Sequence, residues 1–549
     1  MRVLPLRHLV CSILILVVSA AAAVAQSRTA LPKKLPSVEK IVDSYFKAIG
    51  GKKVIAAQRD VTYEWIVQLK NQPTATAKKS TGTANESIGA NQSIGTARTL
   101  RKAPASERFE LTFGNGQIIS GTNARSAWEL GLDKQLRTLT SLEAATAKLQ
   151  TTLAASRLVD FKKLNVLARV LSLGDLGSEP AYIVEFSTRS GARVHYYFSV
   201  KTRLITKITS DAKKTRLIFE DYRSTNGVLE PHRVRMNLDG SGELTLVLQS
   251  VKYNTGINDQ LFDPPAAEKL DITSLLLEVG RNQDQLEDRV SEYSFKQTET
   301  DREINSKGEL KKQTVKVYEV YPLPNRHAVV KLISENGTQL SPERAAKEEK
   351  RVQEEFLKAE RDKEKDAAEA AKRKAEREKQ RSEREKKQKD GKDDGDGDPA
   401  ISMFLRACDF VSPRRERFEG RESIVFDFRP RAGFKPKTRE ESLIAKLVGV
   451  IWIDPVDKQV MRLEARLAEG FKIAGGLVAS LKPGAGLVME QTRMEQGVWL
   501  PRFAQINLSV KVLLFGGGDY NKTLEWSEYK HFSGDVKDYK IEAPASVRP

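Results

Sequence analysis

One short pattern occurs twice in this chain, once in each half, and it limits the possible folds more than any other feature. Residues 219–231 read FEDYRSTNGVLEP and residues 489–501 read MEQTRMEQGVWLP. Glu220, Arg223, Gly227, Val228 and Pro231 recur as Glu490, Arg493, Gly497, Val498 and Pro501 at one constant offset. In each copy an alternating apolar segment runs into a glycine turn and proline opens the next segment, which predicts a β-hairpin. Phe186, Arg189 and Gly191 match Phe428, Arg431 and Gly433 at identical internal spacing. Two β-rich units of one design are therefore expected in tandem. A duplicated apolar-lined sheet suits a binding module better than an enzyme.

Arg2 and Arg7 precede an apolar stretch over residues 9–22, and Ala23-Val24-Ala25 leads into Gln26. This order predicts a secretory signal peptide over 1–25, cut after Ala25, and a periplasmic location. Cys11 sits inside the apolar core, which speaks against lipid attachment. No later segment approaches the roughly 18 uninterrupted apolar residues of a spanning helix. Past the leader only Cys408 remains, so no internal disulfide forms and stability must come from core burial. Within the apolar stretch 401–411 it reads as a small buried hydrophobe. The formal net charge of +18 favours anionic partners such as membrane head groups. Nucleic acid is a poor match for an exported chain.

Val38, Ile41, Val42, Tyr45, Phe46 and Ile49 recur at helical spacing between Ser37 and Gly50-Gly51, which predicts a helix. Alternating strands follow, interrupted by a second helix from Ser141 to about residue 161. Phe262-Asp-Pro-Pro265 ends the first unit, read as 35–266. The second unit is read as 272–340 joined to 400–533. Between them 341–390 is almost entirely Glu, Lys, Arg, Ala and Gln, which predicts a long solvated single helix. Sustained apolar heptad positions, which a coiled coil needs, are missing. The glycine- and aspartate-rich 391–399 reads as a flexible linker.

Chemistry-bearing motifs are scarce. His195, His232, His327 and His531 stand far apart, without a ligand-spaced partner, so no metal is expected. No nucleophile elbow, phosphate loop or zinc motif occurs, so no catalytic residue and no cofactor is assigned and the chain is not expected to be an enzyme. Strand carboxylates such as Asp427 beside Phe428 are expected to face solvent. Glu220, Arg223, Gly227 and Pro231, with Glu490, Arg493, Gly497 and Pro501, read as structural. What remains is apolar strand surface. Phe109, Phe113, Tyr196, Phe198, Phe219, Met236 and Leu246 are candidate cavity residues of the first unit. Phe426, Phe428, Ile453, Leu508 and Val510 are those of the second. A curling antiparallel sheet leaves such a face for helices or for a greasy ligand.

The segment from Ser37 to Gly51, Ala103-Pro104 before the strand of Phe109, Trp128, Asp221-Tyr-Arg223, Gly227-Val228 with Pro231, and Phe262-Asp-Pro-Pro265 form a familiar set. Together they resemble the outer-membrane lipoprotein carriers, the LolA/LolB-like superfamily, over residues 35–265. The internal repeat extends the resemblance over 273–532. It implies an α+β fold: two tandem curved antiparallel half-barrels capped by helices, with the long charged helix inserted in the second. It also implies a periplasmic monomer that holds acyl chains of lipids or lipoproteins, with an anionic membrane surface as a further partner. The rival expectation is an envelope scaffold or regulatory sensor that binds its partner through the charged arm.

Overall fold

In the computed structural model the alternating segments pair their backbone groups in two wide antiparallel sheets. The structure describes residues 35–69, 92–175, 179–210, 215–238, 242–266, 270–290, 292–305, 307–323, 328–361, 399–473, 479–495, 497–512 and 516–531, with single positions 212, 368, 372 and 375. The expected signal peptide over 1–25, residues 391–398 of the expected linker 391–399 and most of the charged run beyond Arg361 lie outside these residues.

The first half opens with α1 (Val38–Ile49) and α2 (Lys52–Ala56). Six strands follow: β1 (Asp60–Leu69), β2 (Gln92–Lys102), β3 (Ser106–Phe113), β4 (Gly116–Thr122), β5 (Ala127–Leu130) and β6 (Leu136–Thr138). After α3 (Ser141–Ala155) come β7 (Leu167–Asp175), β8 (Pro180–Ser187), β9 (Arg193–Ser199), β10 (Ile205–Ser210), β11 (Thr215–Thr225), β12 (Val228–Leu238) and β13 (Gly242–Tyr253). Their order across the sheet is 6-5-4-3-2-1-13-12-11-10-9-8-7, so first and last strands meet in the middle.

The second half opens with α4 (Ile272–Val290), then β14 (Tyr293–Ile304), β15 (Leu310–Pro322), β16 (Ala328–Glu335), β17 (Thr338–Gln339) and α5 (Pro342–Arg361). Next come α6 (Pro399–Ala407), β18 (Cys408–Phe418), β19 (Arg421–Pro430), α7 (Arg439–Ile444), β20 (Leu447–Ile453) and β21 (Val460–Leu467). It closes with β22 (Phe471–Ile473), β23 (Ala479–Leu481), β24 (Gly486–Arg493), β25 (Trp499–Val512) and β26 (Gly516–His531). The main order is 17-16-15-14-26-25-24-21-20-19-18, and again the first and last strands pair.

The repeated sequence forms the hairpin β11–β12 in one sheet and β24–β25 in the other, two and three places from the first strand. Asn226 and Gly227 take φ of 53° and 80°, the left-handed pair that a two-residue hairpin turn requires. Gly497 takes φ of 80° in the longer second turn, where Met494 N–H donates to Val498 O at 2.8 Å. The repeated acids serve different neighbours. Glu220 pairs with Arg235 at the surface, whereas buried Glu490 accepts from Arg462.

The expected α+β class with helix-capped half-barrels and a long charged helix is corrected by the structure. Strands dominate both halves, the sheets are wide and open, and the few described helices each cover only part of a sheet. The charged segment is described as helix over Pro342–Arg361, and that part is not free in solvent. Val352 and Phe356, its large apolar residues on one face, are buried against Val329 of β16 and Leu323 just past β15. Glu348 also accepts from the Leu332 N–H at 2.9 Å. Hydrophobic anchoring thus decides where this helix lies.

The two halves join along a polar seam. Arg414 and Asp427 are fully buried and 3.0 Å apart. The Ser126 hydroxyl donates to Asp427 at 2.7 Å, and Arg125 adds a contact at 3.4 Å. Arg414 also donates to Glu416 at 2.8 Å and to the Thr138 hydroxyl at 2.7 Å. Thr138 returns its N–H and hydroxyl to Glu416 at 2.7 and 2.6 Å. The expectation that Asp427 faces solvent is therefore corrected: its face of β19 is covered by the first half. Lys148 of α3 lies beside this seam and donates to Arg125 O at 2.8 Å. Burial first, and then repulsion from Arg466, push its amine down to about 8 from the usual 10.5.

Two outcomes follow from the seam. Arg414→Met removes the fully buried cation beside Asp427 and Glu416, leaving Asp427 only the longer cation contact, from Arg125 at 3.4 Å, and is expected to cost about 3–5 kcal/mol in chemical denaturation. Between pH 8 and 10.5 the unfolded chain holds a proton on Lys148 that the folded chain lacks. Stability attributable to this residue is thus lowest below pH 8 and rises across that window. The denaturation midpoint of Lys148→Met, compared with the parent from pH 7 to 10.5, should lack this rise.

Candidate functional site

Residues directly paired across antiparallel strands point to one face, so the register shows which side chains share a surface. Phe113 of β3, Gly95, Val67, Leu246, Val234 and Phe219 of β11 form one transverse row. The adjacent row runs Leu244, Met236, Leu217, Ile208, Tyr196 and Val184. α3 touches β2–β5 on one arm of the sheet and β9 on the other, so the arms lean toward each other across it.

This face divides into two apolar clusters. One lies over β7–β10 and is filled by α1, whose Val38, Ile41, Val42, Tyr45, Phe46 and Ile49 pack with Phe186, Tyr196 and Phe198. Tyr45 meets Phe198 edge-on at 5.7 Å, and burial pushes its hydroxyl up to about 12. The other cluster spans β1–β4 and β11–β13, and all of its described members are strand residues. Val67 is fully buried at its centre, with Leu111, Val234, Leu244 and Leu246 buried around it. Exposure rises toward both flanks, where Phe109, Phe113, Ile118, Leu217 and Met236 are half-buried. This buried centre between half-buried apolar flanks is the candidate binding strip, called the groove below.

One end of the groove is polar. Glu230 is buried and accepts from Arg157 at 2.7 Å, from the Tyr253 hydroxyl at 2.6 Å and from that of Tyr63 at 3.3 Å. Tyr63 stacks on Trp65 at 5.6 Å, and Trp65 donates to the Thr99 hydroxyl at 3.1 Å. Burial, reinforced by the Glu230 charge, holds the Tyr63 hydroxyl well above its ordinary range. Every member is paired, so the cluster works as a stop rather than as reactive chemistry.

The structure separates the candidates proposed from sequence. Phe109, Phe113, Met236 and Leu246 belong to the groove, and Phe219 touches both clusters. Tyr196 and Phe198 lie beneath α1. In the second half Phe426 and Ile453 are fully buried against Leu275, Leu276 and Val279 of α4, and Phe428 against Ala407 and Phe404 of α6. Leu508 is half-buried beside Leu467 and Phe471, and the side chain of Val510 lies outside the described residues. Cys408 is a free, buried thiol that burial pushes up to about 12. His195 contacts Glu185 at 3.3 Å and His232 contacts Thr225 at 3.3 Å, while His327 lies outside the described residues. Among the described residues no group of three or more His, Cys, Asp or Glu could hold a metal ion, and no helix is long and apolar enough to cross a membrane.

Sequence reasoning passed over Glu230 and Arg157. A signal was present: at the repeat's constant offset Glu230 corresponds to Leu500, which is fully buried among Trp452, Trp499 and Val498. A charge where its counterpart is apolar marks a local difference in environment. Gly95 was also passed over. An added Cβ there would stand 2.1 Å from Thr112 O, so the row closes only around glycine. Gly95→Ala is expected to lower stability by about 1–3 kcal/mol in a urea titration, as overpacking does.

No family model and no curated protein matches the chain. Among solved structures it is similar to a DUF1329 family protein from Desulfovibrio piger, at 12% identity and a TM-score of 0.26, covering 41% of this chain and 97% of that one. It is similar to a LolA superfamily protein from Nitrosomonas europaea at 13% identity and a TM-score of 0.28, covering 42% and 99%. The MucA/MucB complex of Pseudomonas aeruginosa aligns over 89% of this chain and 93% of that one, at 7% identity and a TM-score of 0.17. Scores this low assign neither fold nor activity.

Proposed function

We propose that this chain is an exported envelope protein that binds an acyl chain of a lipid or lipoprotein in the groove of its first sheet, without covalent change. The observation that carries the reading is the apolar cluster made of strand residues alone, with Val67 buried at its centre and Phe113 and Met236 half-buried on its flanks. Soluble proteins rarely leave a contiguous apolar surface uncovered unless something binds there. Each methylene taken from water contributes about 0.8 kcal/mol, so ten methylenes supply about 8 kcal/mol before the costs of association. The basic surface expected of a chain with net charge +18 would bring it to anionic head groups.

In this reading only the first half binds cargo. The second half braces it, because α4 and α6 already occupy the apolar face of β19 and β20. That filled core is also what supports a scaffold role for the second half, with the charged segment reaching a partner.

The test is displacement of an acyl-chain fluorophore from the chain lacking residues 1–25. Phe113→Asp and Met236→Asp are each expected to weaken binding about tenfold or more, equivalent to about 1.4 kcal/mol. Leu487→Asp, at an exposed position of the second sheet, should leave it unchanged, as should deletion of 364–396. Equal affinity in the parent and both groove variants would remove the carrier reading and leave the scaffold.

A further inference from the structure

A cavity lies apart from the groove, between the start of α1 and the strands β8 and β9, with a volume of about 210 Å³. None of its lining residues belongs to the helix-free cluster. Its floor is apolar: Ile41 and Phe198 are buried beneath it, and Val200 stands exposed at the mouth. Lys40 and Arg203 also line it, and no Asp or Glu does. Neither cation makes an ion pair among the described residues, although surface Lys162, Lys163 and Lys201 all do.

Arg203 is held in place by a tight turn. Ser199 O accepts its N–H at 2.9 Å, and the Ser199 hydroxyl accepts from Thr202 N–H at 3.1 Å. Its φ of 64° is a conformation that glycine or asparagine adopts more readily, yet a long cation occupies it. The Ser44 hydroxyl donates to Lys40 O at 2.8 Å, which settles the helix backbone beside the second cation. Two cations over an apolar floor match one kind of ligand, an anionic head on an apolar stem. A bare anion would leave Ile41, Phe198 and Val200 without use, and a neutral stem would leave the two exposed cations at the rim to water alone. The volume is below that of common ligand pockets, so it fits a head and a few methylenes rather than a whole lipid.

We propose that this pocket binds a phosphate or carboxylate head group through Lys40 and Arg203, with the first methylenes of its stem on Phe198 and Ile41. The site is independent of the groove, and it is tested with the groove disabled. In a Met236→Asp background, binding of decyl phosphate, decanol and inorganic phosphate is measured by titration calorimetry at low and high salt. Decyl phosphate is expected to bind at least tenfold more tightly than either of the others, and to weaken as salt rises. Adding Lys40→Ala with Arg203→Asn, the latter suited to the turn, should remove that preference while the denaturation midpoint stays in place. Equal binding of decanol and decyl phosphate would overturn the proposal. So would a preference that survives the double substitution. Inorganic phosphate binding as tightly as decyl phosphate would overturn it too, by showing a site for the free anion.

Discussion

The contact on which the arrangement depends is the buried meeting of Arg414 with Asp427, Glu416 and Thr138. It lies where β6, an edge strand of the first sheet, faces β18, an edge strand of the second. Bare strand edges recruit other chains. Here the carboxylate of Glu416 takes the backbone N–H of Thr138, so the edge is ended by a side chain instead of by another strand. A dry cluster of charges is a weak source of net stability, because desolvation offsets most of the attraction. Its effect lies in geometry. A slide of β18 along β6 would take Thr138 from Arg414 and Glu416, and Ser126 and Arg125 from Asp427, and that arrangement is excluded by the cost of buried polar groups left without partners. The second half also reaches the opposite edge: Arg169 of β7 pairs with Glu309 at 3.7 Å, and Asn521 donates to Arg189 O at 2.8 Å.

This constraint explains what the sequence could and could not disclose. The hairpins at Gly227 and Gly497, the helix of Val38 to Ile49 and the buried state of Cys408 are all local consequences of residue type and spacing, and the structure has them. Alternation likewise told which strand face is apolar. It could not tell whether the other face is covered, since that depends on contacts between positions such as Ser126 and Asp427 that are remote in sequence. All of Ser423 to Phe428 is buried, so β19 is covered on both sides and its carboxylate turns out to be structural. The charged segment misled in the same way. Its composition promised a solvated helix, but Val352 and Phe356 were enough to pin its described part to a sheet.

The apolar candidates show the same limit more finely. Phe198 and Phe113 look alike in sequence, each an aromatic in an alternating strand. The difference is that Phe198 packs beneath α1, whereas the cluster around Phe113 has no described helix residue among its members although α3 touches β2 and β3. Coverage is a matter of how much helix is available for how wide a sheet. Thirteen strands with few helices must leave some apolar face to strands alone, and that remainder is the groove.

Why the remainder lies in the first half and not the second comes down to small differences within one shared hairpin. At Glu230 the chain places a charge that needs Arg157, Tyr63 and Tyr253 to satisfy it, and these polar tips end the apolar surface abruptly. At the matching offset Leu500 needs nothing but neighbours, and Trp452, Trp499 and Met461 close over it into a continuous core. A satisfied polar cluster resists apolar filling because any helix laid on it would have to bring its own hydrogen-bond partners. One carboxylate in place of one leucine thus gives the apolar cluster of the first half a polar boundary that the second half lacks at that position.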